Sequence, residues 1–183
     1  MRHARTAASL ALAVLLLASA GPVAGQEELT YREYDAIAQT ARNLLHCDMF
    51  EPLGGEVGMH LVIADRYGKL NVFRLNGGEA HERVWVSRQL DGNAEEVLAA
   101  DLDGDGLDDH LVARTTRRLY AFDLESDYYL AYESQPNDFQ AIRAFTVADV
   151  DDDPALEIVV NADQKIHYVD GDSFSREWTS LNN

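Results

Sequence analysis

Two stretches carry most of the chemistry this chain offers. They are DLDGDGLDDHLV (residues 101–112) and DVDDDPALEIVV (residues 149–160). Both place carboxylates at alternate positions and then turn apolar. A hard cation such as Ca²⁺ takes six to eight oxygens from a loop curled around it. In a tight loop, side chains at positions 1, 3 and 5 point inward, and a backbone carbonyl at 7 and an acid at 9 complete the cage. In the first loop these are Asp101, Asp103, Asp105, the carbonyl of Leu107, and Asp109. In the second they are Asp149, Asp151, Asp153, the carbonyl of Ala155, and Glu157. Gly104 and Gly106 give the first loop backbone freedom, whereas Asp152 and Pro154 stand in their places in the second. Crowded carboxylates repel one another, and a cation turns that repulsion into attraction. The expectation is one or two bound Ca²⁺ ions, against the simpler reading of solvated acidic turns. Mg²⁺ suits the pattern less, because it keeps more water and fewer carboxylates. An EF-hand would need an acid at position 12 followed by a helix. Position 12 is Val112 or Val160, and both lie in β-branched, apolar runs that suit a strand.

Other chemistry is sparse. The sequence contains no G-x-S-x-G, H-E-x-x-H, P-loop or C-x-x-C motif. His3, His46, His60, His81, His110 and His167 are scattered, and His60 and His110 recur at matching places, as structural residues would. Acid pairs for glycoside chemistry are uninformative in so acidic a chain. Cys47 is the single cysteine, so no internal disulfide framework exists, and it reads as a small half-buried apolar residue.

The elements that must hold the acidic loops come in repeats. Residues 97–113 align with residues 146–161, the acids falling 48 positions apart. KLNVFRL (69–75), RLYAFDL (118–124) and KIHYVDG (165–171) share one pattern. An aromatic, any residue and Ser follow three times, at Trp85, Tyr132 and Trp178, which read as core aromatics rather than a sugar platform. Short apolar or alternating runs between Gly, Asp and Asn clusters predict strands. They fall at 60–64, 69–75, 83–87 and 95–100, then 110–114, 118–124, 129–134 and 143–148, then 157–161, 165–170 and 175–180. In this frame the third copy lacks its fourth strand. Ahead of the repeats, apolar spacing and a Thr30/Glu33 capping box predict a helix over 31–46, within an N-terminal segment at 26–49. The rival reading makes residues 43–48 a strand that supplies the missing one.

On these motifs the region from about residue 60 to 180 resembles the FG-GAP/VCBS repeats of integrin-α-type β-propellers. The resemblance implies an all-β, β-propeller-like array of about three four-stranded antiparallel blades within residues 50–183. The repeats would span about 60–103, 104–151 and an incomplete 152–183. It also implies Ca²⁺ in the loops joining one blade's last strand to the next blade's first. Residues 51–59 carry Glu51 and Glu56 without an aspartate ladder, so no metal is expected there. Propellers usually close with four to eight blades. The chain is therefore expected to be capped by its N-terminal helix, to be completed by a second copy or another protein, or to be a truncated relic.

Composition bounds the role. MRHAR, an apolar run and small residues through residue 25 read as a secretory signal peptide, cut after Ala20 or Gly25. Export, extracellular or periplasmic, is the expectation, with no membrane span in the mature chain. Losing residues 1–25 leaves 13 of the 15 basic residues against 32 acids, a net −19. Such a chain repels phosphate backbones, so no nucleic-acid partner is expected. The leading expectation is a secreted calcium-binding module for protein or glycan contacts and adhesion. The alternatives are a polysaccharide-active enzyme or its accessory domain, and a self-assembling extracellular subunit.

Overall fold

The computed structural model describes residue 40 and residues 42–52, 58–75, 81–151 and 153–181. The expected signal peptide lies outside these residues. Within them the chain is all β. Twelve strands run in order: β1 (Leu44–Phe50), β2 (His60–Asp65), β3 (Leu70–Arg74), β4 (Glu82–Val86), β5 (Glu96–Ala100), β6 (His110–Arg114), β7 (Leu119–Asp123), β8 (Tyr129–Glu133), β9 (Ile142–Ala148), β10 (Glu157–Ala162), β11 (Lys165–Val169) and β12 (Arg176–Thr179). They form three antiparallel four-stranded sheets, β1–β4, β5–β8 and β9–β12, each paired in chain order.

The strands lie close to where periodicity puts them, but their grouping differs from the repeat frame. The strand before each acidic loop pairs with the strand after it, so β5 joins β6 and β9 joins β10. The third sheet is therefore complete, and the expected incomplete last blade is corrected. The acidic loops likewise lie inside a sheet, not between sheets. Connection length does not decide the grouping, since the link 87–95 between sheets and the acidic loop 101–109 are both nine residues long; the backbone register of β5 on β6 and of β9 on β10 does.

The first sheet obtains its opening strand from β1. The predicted helix over 31–46 therefore cannot run through residues 44–46, which pair with β2. The rest of that helix falls on residues 31–39 and 41, outside the described ones, and on positions 40, 42 and 43. The rival strand reading is the one the structure takes. All six residues of β2 are buried, so an unpaired β2 edge would strand buried backbone N–H and C=O groups. That requirement outweighs a helical spacing. Within β1, Cys47 and Met49 pack with Leu61, Ile63 and Phe73 on one face, and Phe50 enters the core on the other.

Two cores hold the sheets together. Between the first and second lie Phe50, Val62, Leu70, Val72, Val97, Leu111, Tyr120 and Phe122. Between the second and third lie Leu102, Val112, Leu119, Phe139, Phe145, Ile158 and Val160. Successive opening strands are neighbours: β5 donates from Ala99 N–H to Asp48 Oδ2 (3.1 Å) on β1. No residue of the closing strands β4, β8 and β12 is fully buried, and their charged residues discourage pairing with another edge.

The repeated Ser has a definite task. Ser87 Oγ accepts from Leu70 N–H (2.9 Å), Ser134 Oγ from Leu119 N–H (3.0 Å) and Ser180 Oγ from Ile166 N–H (3.0 Å). Each Ser N–H donates back to the same residue's carbonyl. This two-point clamp ties the end of each sheet's fourth strand to its third. The aromatic two places earlier packs between sheets: Trp85 stacks on Tyr128 (4.7 Å) and Tyr132 on Phe174 (4.9 Å). Trp178 stacks on Tyr168 of its own sheet and is 47% exposed.

Candidate metal centre

The two acidic loops sit against each other. Leu156 N–H donates to the Leu102 carbonyl (2.8 Å). Gly104 has φ +77°, and a Cβ there would fall 1.8 Å from the Pro154 carbonyl oxygen. Only glycine permits both that conformation and that approach. Leu102 and Ala155 are buried and anchor the loops, leaving Asp103, Asp105, Asp151 and Asp153 exposed.

In the first loop, carboxylate oxygens of Asp101, Asp103 and Asp105 come within 4.8 Å of one another. The loop folds back on its own acids. Asp105 N–H donates to Asp103 Oδ1 (3.2 Å), Gly106 N–H to Asp101 Oδ2 (3.0 Å) and Leu107 N–H to Asp105 Oδ1 (2.8 Å). Asp101 Oδ1 is buried with no hydrogen-bond partner, a costly state for a carboxylate oxygen unless an ion satisfies it. Asp109 is buried and outside this group. Its Oδ1 lies 2.6 Å from His110 Nδ1. Its carboxyl is pushed up by desolvation, opposed by His110 and reinforced by Asp103 and Asp105.

The second loop is built differently. Asp149 is exposed and outside the carboxylate groups found among the described residues. Asp151 and Asp153 group with Glu177, and Asp153 and Glu157 group with Asp170. Asp153 N–H donates to Asp151 Oδ1 and Ala155 N–H to Asp153 Oδ1, both at 2.9 Å. Glu157 is fully buried. Its Oε2 accepts from Val150 N–H (2.8 Å), and its Oε1 has no partner. Glu177 is exposed. Its carboxyl is pushed up by desolvation first, then by Asp151, Asp170, Asp153 and Glu157.

Strand pairing also revises the alignment of the loops. His110 pairs with Ala100, the last residue of β5, and Glu157 with Ala148, the last of β9. In the fold Glu157 therefore matches His110 rather than Asp109, because the second loop is one residue shorter. Asp170 and Glu177 were not among the expected ligands. Asp170 carried a signal, since it matches Asp123 in the repeated seven-residue pattern. Glu177 matches Ala131 and carried none; the pairing of β12 with β11 brings it in.

No histidine belongs to a metal-ligating group among the described residues. His60 Nδ1 lies 2.8 Å from the Gly58 carbonyl and His167 Nδ1 2.9 Å from Thr179 Oγ1. An oxygen-only set of carboxylates is chemistry for a hard cation. In comparisons with known proteins, the chain matches no family model and no curated protein.

Proposed function

We propose that this chain is a secreted, calcium-stiffened, β-propeller-like module of the FG-GAP/VCBS kind that presents loops to a protein or glycan. The observation that carries the reading is the buried, unpartnered Oδ1 of Asp101 beside the grouped carboxylates of Asp103 and Asp105. The cation neutralises the acidic loops and holds the second and third sheets in register through the loop contact. The Leu107 carbonyl and Asp109 are the remaining oxygens of the expected first cage. Extracellular calcium modules bind at about 10⁻⁴–10⁻³ M. Millimolar Ca²⁺ is then roughly one to ten times Kd, and bound calcium adds about 0.4–1.4 kcal/mol of stability. The test is thermal unfolding of Asp103→Ala. It lowers Tm in millimolar Ca²⁺ and changes it much less in EDTA. Equal losses in both buffers refute the cage.

One observation favours self-association as a second reading. The row Thr146, Val159, Tyr168 and Trp178 crosses the whole third sheet on the face away from the second. The matching face of the second sheet, with Val112 and Tyr132, is covered by the third. Light scattering decides it: a dimer or ring lost in Trp178→Lys supports a second copy here, and a wild-type monomer refutes it. Among the described residues no helix is long and apolar enough to cross a membrane.

A further inference from the structure

One position has a different charge in each sheet. The first residue of the second strand is His60, His110 and Glu157, each paired with the last residue of the strand before it. Across the next strand lie Arg74, Asp123 and Asp170. His60 pairs with Arg74 and His110 with Asp123, while Glu157 and Asp170 flank the Ile158–Val169 pair directly. In the first sheet no carboxylate belongs to the pair. In the second, His110 pairs with Asp123 across the next strand, and its Nδ1 lies 2.6 Å from Asp109 Oδ1. In the third the histidine is replaced by a buried glutamate, with Asp153 added from the loop. Among the described residues no Lys, Arg or His forms an ion pair with Asp153, Glu157 or Asp170.

We propose that Asp153, Glu157 and Asp170, with Glu177 at the mouth, form a cation site joining the second acidic loop to the β11–β12 hairpin. Oxygens of the first three lie within 4.8 Å of one another. One oxygen of each is already held by a backbone N–H: Asp153 by Ala155 (2.9 Å), Glu157 by Val150 (2.8 Å) and Asp170 by Ser173 (2.7 Å). These bonds orient the carboxylates in advance and leave a second oxygen on each. Glu157 Oε1, fully buried and unpartnered, is the atom that most needs an ion. The set is all oxygen and highly anionic, which suits Ca²⁺ over Zn²⁺ and over Mg²⁺. It differs from the loop ladder by excluding Asp149 and by recruiting Asp170 and Glu177 from sequence far beyond the loop. The cation thus fastens three strands of the third sheet.

The assignment deepens the proposed calcium function and rests on it. The test is calorimetric titration of Ca²⁺ alone into the full folded chain and its Asp170→Asn and Asp101→Asn variants. Two sites are expected in the wild type. D170N removes one or weakens it at least tenfold, and D101N affects the other. An unchanged isotherm for D170N overturns this site and leaves the first-loop reading standing, whereas no uptake by the wild type overturns both. Asparagine keeps an oxygen for Ser173, so the turn persists. Glu157→Gln guards against simple misfolding. It raises Tm in EDTA, by removing a buried unpaired charge, and lowers Tm relative to wild type in Ca²⁺. A lower Tm in both buffers also overturns the site.

Discussion

The contact between the acidic loops makes a quantitative demand on Gly104. Gly104→Ala is expected to be costly for two separable reasons. At φ +77° an L-residue is disfavoured by roughly 1–2 kcal/mol. The new methyl would also lie 1.8 Å from the Pro154 carbonyl oxygen and 2.8 Å from its carbonyl carbon. Neither is the far end of a flexible side chain, so one loop must retreat, and overpacking of this kind costs about 1–3 kcal/mol. Gly106 provides the control. Its φ is +98°, and a Cβ there meets nothing within 4 Å. Gly106→Ala therefore carries only the backbone cost. The two substitutions change the same loop, two positions apart, by the same single methyl. Their difference isolates the loop contact, at about 1–3 kcal/mol. For a chain of this size that is a Tm gap of roughly 2–12 °C. The assay is urea and thermal unfolding of both variants in EDTA, so that metal binding does not enter. The unfolding slope should match wild type in both. Equal destabilisation by the two alanines would refute the contact, and with it the claim that the loops brace the second and third sheets.

The serine clamp predicts a ranking. Ser134→Ala leaves the buried Leu119 N–H without its side-chain acceptor (3.0 Å) and costs about 1–3 kcal/mol. Ser180→Ala costs less, since Ser180 is only partly buried and water can replace the hydroxyl; the reverse order by urea unfolding would remove the clamp. Histidine ionisation predicts a pH effect. Burial lowers His60 and His167, aided in each by a nearby arginine. Their folded values lie below the unfolded value of about 6.5, so their contribution is full above that pH and is lost as pH falls through the folded values. Proton NMR titration should give both midpoints below 6.5, and a midpoint at or above it in either ring refutes the assignment for that residue.

The sequence by itself determined the strands and the acidic loops, because both signals are local. Alternating apolar runs such as KLNVFRL and RLYAFDL mark buried strands wherever they occur. A ladder of aspartates around Gly104 and Gly106 states its chemistry without reference to the rest of the fold. What only the tertiary structure decided is which strands share a sheet and which acids share a site. Residues 44–46 fit a helix by spacing, yet β2 needs a partner for its buried backbone, so they are strand. Asp109 and Glu157 stand 48 positions apart like the other acids, yet the shorter second loop sets Glu157 opposite His110 instead. Asp170 and Glu177 reach Asp153 and Glu157 only because antiparallel pairing folds distant chain back beside the loop. Hydrogen-bond register and burial are properties of the assembled chain, and no short window of residues contains them.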